Sequence, residues 1–487
     1  MRNKSLTLNA IFNVIKQCLS VFFPLITYPY VSRALGADYL GVYSFSDSII
    51  QILLIVSTLG IPSYAIREGA LIRDDEKAIR KFSSEIFTLN ILSTVLSYVL
   101  LLTLIIFVPK INRNAVILGC LSINFFTTLM GRDWLNSIHE DFLYISIRYT
   151  IVHIASLILI LIFVKEPGDL VKYVLIMAFS TAGGELLNAF HTLKYSPYGF
   201  AKIRNIKKHI RPVLILFCST IAVTIYVRSD ITMIGFLMSD KDVGIYTISS
   251  KVYLVVKSIL NAVITVTMPR LANYRGEWNC VTENKYVILL GKLKTILMFL
   301  IFPSSVGLFC VSSYVMVLVG GAEFTDGYIS LRILSIALIF AVFGCFIANC
   351  VLVINKKEKG LFKASAISAI VNVVLNFIMI PLIGINGAAL TTLISECLVL
   401  IICIRYVDLS DGEKETIFRV NKKNFVVVAM ECMYIIMAAV VLRQVFDGDI
   451  VYLGMVIISS VIMYAFILMA SNNDLIRELM KDMNKRN

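Results

Sequence analysis

The sequence predicts an all-α polytopic membrane protein of about fourteen transmembrane helices, arranged as two six-helix lobes related by pseudo-twofold symmetry plus two C-terminal helices, with both termini cytoplasmic. Three observations carry that expectation. The 487-residue chain is 58% hydrophobic and only 16% charged, whereas soluble domains are roughly half apolar and a quarter charged. Apolar stretches of ~20 residues, the length that crosses ~30 Å of hydrocarbon, recur from end to end. Lys and Arg gather in alternate connections, as they do in short cytoplasmic loops.

The first apolar stretch follows MRNKSLTLNA without a small-residue cleavage site and runs to about Val31, so it is expected to stay as a first membrane helix. Further spans centre near Leu53, Thr94, Ser122, Ser156, Met177, Val223, Val255, Phe299, Ile339, Val373, Leu398, Tyr434 and Ser459. The longest polar connections, such as REGALIRDDEKAIRK and DLSDGEKETIFRVNKKN, are too short to hold a soluble domain. The expected organisation is a six-helix lobe over 1–193, a basic cytoplasmic linker over 194–211 and a second lobe over 212–407. A cytoplasmic loop over 408–423, two appended helices over 424–470 and a basic tail over 471–487 complete it.

A net charge of +13 would fit nucleic acid, anionic lipid or an acidic substrate as partner. Sorting the cations by side removes most of that meaning. With the N-terminus inside, 30 Lys and Arg fall in cytoplasmic segments and 7 in the alternate loops, so the excess is mainly topological bias. What remains is Lys16, Arg148, Arg228, Lys251, Lys257, Lys292, Lys294 and Arg332, inside spans or at their edges. Arg148, Lys292, Lys294 and Arg332, near span ends, read as side chains snorkelling to the interface. Lys16, Arg228 and Lys251 lie deeper, where a cation faces a bundle interior or a water-filled cavity.

Helical spacing reinforces those three. Asn13, Lys16, Ser20 and Thr27 share one face of the first span, and Ser44, Asp47, Gln51 and Thr58 one face of the second. The seventh span carries Thr220, Thr224 and Arg228; the eighth carries Thr247, Lys251, Ser258, Asn261 and Thr265. Interhelical hydrogen bonding accounts for the hydroxyls but not for a Lys, Asp or Arg in the stripe. The same spans are paired in sequence. Gly41-Val42-Tyr43-Ser44 opens the second and Gly244-Ile245-Tyr246-Thr247 the eighth, with Arg67 and Arg270 each 26 residues after the glycine and Pro62 and Pro269 before them. Two parallel halves with a site between them are expected, lined by the four stripes. Arg228 and Asp230 are about 200° apart around a helix, so Arg228 must find its partner on another helix, in water or in a ligand. Positive charge left uncompensated on such stripes implies an anion, with Arg and Lys suited to phosphate oxygens.

SRALGADYLGVYSF with LGIPSYAIRE resembles the opening of the bacterial lipid-linked oligosaccharide flippases of polysaccharide biosynthesis, the O-antigen or Wzx-type group of the multidrug/oligosaccharidyl-lipid/polysaccharide exporter superfamily. RSDITMIGFLMSDKDVGIYTISSKV with TMPRLANY, and PLIGINGAALTTLISE, resemble later parts of the same family in the expected order. The resemblance implies two six-helix lobes around a cationic cavity and alternating access. It further implies a polyprenyl-pyrophosphate-linked oligosaccharide as substrate, turned from the cytoplasmic to the outer leaflet of the bacterial cytoplasmic membrane, with coupling to H+ or Na+. On the stripe argument Lys16, Arg228 and Lys251 are the expected pyrophosphate ligands, and Asp47, Asp230 or Glu185 the expected coupling carboxylate. Glu185, Glu396 and Glu431 equally suit interhelical hydrogen bonds.

Other functions fit less well. A multidrug exporter of the same fold binds organic cations and should carry acidic stripes. A membrane polymerase or glycosyltransferase needs a large external catalytic loop, and every expected external loop is short. No Gly-rich phosphate loop with its Lys is present. The ten cysteines form no C-x-x-C pair and nine sit in apolar stretches, so neither disulfides nor zinc are expected. His139, His153, His191 and His209 show no metal spacing, and His153, within a span, reads as a core residue. No catalytic residue, metal or cofactor is expected.

Overall fold

In the computed structural model the described residues are 6–276, 280–407, 411–419, 421–446 and 448–471; side chains are described from residue 23 onward, except at 219, 220, 222, 223, 226, 227, 280, 281 and 411. Apart from short turns and the ten-residue segment 193–202 these residues are helical, and no strand occurs among them. Twelve helices among them are long and apolar enough to cross a membrane. All fourteen expected span centres fall on long helices. The first two share α1 (Leu6–Thr58), which breaks at Gly36, where φ 74° and ψ 174° is backbone that essentially only glycine adopts.

Two compact units divide the chain, Met1–Thr247 and Ile248–Asn487. In the first, α1 is followed by α2 (Ile61–Ala70), α3 (Glu76–Phe107), α4 (Ala115–Gly131), α5 (Asp133–Ile138), α6 (Phe142–Phe163), α7 (Leu170–Thr192) and α8 (Ile203–Leu237). A core of Ile61, Tyr64, Phe82, Ile86, Trp134 and Val213 fastens α2, α3, α5 and α8 together. The opposite face of α3, with Leu92, Val95, Leu96, Val99 and Leu102 exposed, is the apolar outside that lipid contact requires. The packing boundary lies beyond the expected end of the first lobe because α8, expected in the second, packs on α1, α2 and α3.

The expected basic linker over 194–211 is partly helix, since α8 already begins at Ile203. The stretch before it folds back onto the first unit. Arg132 sits at φ 50° between α4 and α5, and its guanidinium lies 3.7 Å over the Tyr198 ring while donating to Thr192 Oγ1 (3.2 Å) and the Ser196 carbonyl (3.0 Å). Tyr198 donates to the Met130 carbonyl at 2.7 Å. Lys194 Nζ and the Tyr195 hydroxyl both donate to Asp141 Oδ2, at 2.8 and 2.9 Å. Burial and the Asp141 carboxylate push the Tyr195 phenol well above its ordinary value.

The second unit contains most of α9 (Asp240–Gly276), then α10 (Cys280–Val319), α11 (Tyr328–Ile347), α12 (Glu358–Ile383), α13 (Ile385–Arg405), α14 (Asp411–Phe418), α15 (Lys422–Val445) and α16 (Asp449–Ala470). Helix α13 packs between α11 and α12, while α15 and α16 pack on each other and on α10. Phe299, Val427, Val428 and Ile467 form one of those contacts, and Val311, Tyr452, Leu453 and Val456 another. Within the expected loop over 408–423, the short helix α14 is held at its C-terminal end. Lys294 Nζ donates to the Thr416 and Arg419 carbonyls at 2.7 and 2.6 Å, a cation placed where a helix leaves carbonyls unpaired.

Candidate functional site

The second-span portion of α1 lies along α8. Phe45 fills the space beside Gly235, where a Cβ would fall under 3.0 Å from its ring. Past the end of α8 the chain turns into α9, whose first residues also meet α1. Gly41 is packed against the Asp240 carbonyl, and Gly244 against the Ala37 carbonyl. Asp240 precedes Gly244 by four residues, as Ala37 precedes Gly41. The two G-[VI]-Y-[ST] motifs therefore contact each other reciprocally, as twofold-related repeats do.

This crossing positions the polar groups that follow it. Arg228 Nη1 lies 3.4 Å from Asp47 Oδ2, with 28% and 20% of the two side chains exposed. Gln51 donates to the other oxygen, Oδ1, at 3.2 Å. One turn along, Thr232 Oγ1 donates to Ser48 Oγ at 2.9 Å. The stripes on the second and seventh spans thus meet through Asp47 and Arg228. The expectation of an uncompensated cation is corrected here: of the three partners open to Arg228, the structure supplies a carboxylate on another helix, because an unpaired guanidinium between apolar helices is costly. Asp230, on the far side of α8, is buried and accepts from the Tyr246 hydroxyl at 2.9 Å.

The remaining expected residues are placed as follows. Ser44 and Thr247 are buried, while Thr224 is half-buried. In the second unit Lys251 and Asn261 are half-buried and Ser258 is exposed, its hydroxyl bonded back to the Leu254 carbonyl at 2.7 Å. The side chains of Asn13, Lys16, Ser20 and Thr220 lie outside the described residues. Glu185 stands 3.8 Å from Arg148, and Arg148 grips both Asp133 oxygens at 2.9 Å. Asn188 adds a hydrogen bond to Asp133 at 2.6 Å. Arg148 and Lys294 are 7% and 8% exposed, so neither snorkels: Arg148 Nη2 is held by Asp133 and Lys294 Nζ by two carbonyls. His153 is half-buried and stacks on Tyr149 with centroids 3.7 Å apart.

Two buried charge clusters were not singled out from sequence. In the first unit His209 bridges Glu85 Oε2 (2.9 Å) and the Tyr64 hydroxyl (2.7 Å), with Lys208 Nζ 2.8 Å from the same carboxylate oxygen. In the second, Lys257 Nζ and the Tyr253 hydroxyl both donate to Glu396 Oε1, at 2.5 and 3.0 Å. Lys257 is six residues, about 240° around the helix, from Lys251, so the stripe did not point to it; Glu396, marked as suited to an interhelical hydrogen bond, makes one. No group of three His, Cys, Asp or Glu arranged to hold a metal occurs among the described residues.

The fold, with polar stripes meeting between long apolar helices, defines a polytopic helical membrane protein. It is similar over its length to a lipid II flippase, MurJ, in an inward closed conformation, with a TM-score of 0.71, 17% identity, and 96% of this chain and 100% of that one covered. It is also similar to an inward-facing multidrug resistance MATE family transporter of the MOP superfamily, with a TM-score of 0.59, 15% identity, and 84% and 94% covered. The chain belongs to the polysaccharide biosynthesis protein family, whose profile matches residues 6–275. An Escherichia coli (strain K12) protein named for O-antigen transport is 22% identical over 410 residues, covering 83% of this chain and 97% of its own length. A Haloferax volcanii protein named as a low-salt glycan biosynthesis flippase is 28% identical over 179 residues, 36% of this chain and 37% of its own. These relatives are named as transporters and flippases rather than enzymes, in keeping with the resemblance carried by the motifs.

Proposed function

We propose that the protein turns a polyprenyl-pyrophosphate-linked oligosaccharide, a repeat unit of O-antigen or a similar surface glycan, from the cytoplasmic to the outer leaflet of the bacterial cytoplasmic membrane by alternating access. Both termini are cytoplasmic in this reading, following the 30-to-7 distribution of basic residues. Lys16, Arg228 and Lys251 bind the pyrophosphate, and the hydroxyls and amides of the stripes contact sugars. The observation that carries the reading is the Arg228–Asp47 contact between two polar stripes, in a chain whose family and named relatives handle glycans.

The pairing also suggests how an ion enters the cycle. A pyrophosphate that draws Arg228 away leaves Asp47 without its counter-charge in a setting only a fifth exposed. Asp47 then takes H+ or Na+ in compensation, so substrate and ion loading are linked through one side chain. Glu185 and Asp230 are less suited to that role, since Arg148 and Tyr246 respectively already face them.

The test is complementation of a flippase-deleted strain with Arg228→Ala and Lys251→Ala at normal membrane abundance. Surface polysaccharide is expected to fall to a small fraction of wild type in each. Full restoration by both variants overturns the anion-site assignment, and export of a cationic dye that depends on the protein would favour the multidrug reading instead.

A further inference from the structure

The pair α15 and α16 carries one buried acid that lies apart from the polar stripes. Glu431 sits nine residues into α15, about 14 Å along the helix, and only 1% of it is exposed. It is the only charged residue between Lys423 and Arg443. Its position suits an interhelical hydrogen bond, yet its Oε2 is sealed from solvent with no hydrogen-bond partner. Val427 and Val428, four and three residues earlier and so on the same face, belong to the apolar contact with Phe299 and Ile467 that seats α15 and α16 on α10.

Nothing around Glu431 supplies positive charge. Helix α10 has no charged residue from Thr295 to Val319, and α16 has none after Asp449. Arg332 of α11 acts on Cys310 of α10 but not on Glu431. The titratable groups that feel the acid are the Cys432 thiol beside it and the Tyr464 phenol of α16, and Tyr464 donates to the Phe299 carbonyl at 2.7 Å. The Tyr452 hydroxyl bonded to the Ala439 carbonyl at 2.9 Å, and Val428 packed near Ile467, set the antiparallel register of the pair. That register puts Ser460 at the level of Glu431, on the face that carries Leu453 and Val456, and its hydroxyl oxygen is also buried without a partner. An ionised carboxylate isolated in such a setting is so costly that the group takes up a proton instead. We propose that Glu431 is a proton-binding site, held as the neutral acid while α15 and α16 are seated on α10 and deprotonated when that seat opens. The assignment goes beyond the transport reading and does not depend on what molecule is moved. The seated form holds one proton more than the open form, so seating weakens as pH rises.

The test uses purified full-length protein in lipid nanodiscs. Dicyclohexylcarbodiimide, an apolar reagent for protonated carboxyls, should label Glu431 at neutral pH and leave the exposed Glu415 unlabelled, read by peptide mass spectrometry. Infrared spectra should lose the carbonyl stretch of one protonated carboxyl in Glu431→Gln. Hydrogen exchange across Lys422–Val445 and Asp449–Ala470, corrected for its intrinsic pH dependence, should report an opening constant that rises by up to about tenfold per pH unit in wild type. Glu431→Gln, which keeps the size and neutrality of the acid, should flatten that rise. An unlabelled Glu431 in wild type overturns the proposal without any variant, which decides the question if the Gln protein fails to fold. An unchanged infrared band, or a pH dependence of opening that survives Glu431→Gln, overturns it as well. Protection of Glu431 from the reagent by Na+ at constant pH does so too, by assigning the carboxylate to a metal ion.

Discussion

A methyl group at Gly41 would collide with backbone, not with a side chain that can swing aside. The Cβ of Gly41→Ala would fall well inside 3.0 Å of the Asp240 carbonyl, and that of Gly244→Ala well inside 3.0 Å of the Ala37 carbonyl. Relief requires the two segments to separate by roughly 1 Å, which forfeits a quarter to a half of the dispersion attraction along the crossing. Overpacking of this kind costs about 1–3 kcal/mol, and rigid backbone on both sides puts each substitution at the upper end or above. Because one separation relieves both clashes, the double variant should cost clearly less than the sum of the two singles, a coupling of about 1–2 kcal/mol. Gly119→Ala is the control: nothing lies within 4 Å of its would-be Cβ, and a mid-helix Gly to Ala change should stabilise by about 0.5–1 kcal/mol. Equilibrium unfolding in mixed micelles measures all four. Additive losses at positions 41 and 244, or single losses within about 0.5 kcal/mol of wild type, would refute the reciprocal packing.

Other substitutions probe the charge clusters. Arg148→Leu should cost about 2–3 kcal/mol, less than the ~3–5 of a fully buried pair because 38% of the Asp133 side chain is exposed. Arg148→Lys should recover at least half of the loss, since both Asp133 oxygens are held by the single nitrogen Nη2 and one ammonium has the donors to do the same; stability no better than that of the Leu variant would contradict this. Lys294→Met should raise hydrogen exchange in Asp411–Phe418 at least tenfold by releasing two carbonyls from a charged donor, and unchanged exchange would remove its anchoring role. Lys257→Met alone should destabilise more than Lys257→Met with Glu396→Leu, because the single change leaves a carboxylate buried without its counter-charge. A double-mutant cycle by thermal unfolding checks the sign.

The long apolar helices were legible because lipid imposes one simple rule on them, a run of apolar residues of fixed length. Two four-residue motifs marked the place where α1 meets the start of α9, and the Gly41–Gly244 crossing gives the glycines of those motifs a physical reason. Pairing was not legible. Asp47 and Arg228 were both marked by their stripes, but 3.6-residue periodicity says which face a residue occupies and nothing about which helix lies opposite. The same gap explains Arg148 and Lys294. Position near a span end suggested snorkelling, whereas Asp133 and the end of α14, distant in sequence or in a polar connection, supply acceptors that hold them inside. Side-chain hydroxyls were over-read for a related reason: Ser258 and Thr265 bond to carbonyls of their own helix and need no outside partner.

The segment between α7 and α8 has the length and composition of a slack leash: ten residues, which fully extended would reach about 33–36 Å. Yet Asp141 takes up its first residues, Arg132 and Met130 its middle, and the Thr88 hydroxyl accepts from the Ala201 amide near its end. A tether fastened at so many points has no play left. Force arriving at the start of α8 is passed straight into α3, α4 and α7 instead of being absorbed by uncoiling. Extra residues inserted here, tolerated at most exposed connections, would reintroduce slack and let α8 move without its neighbours.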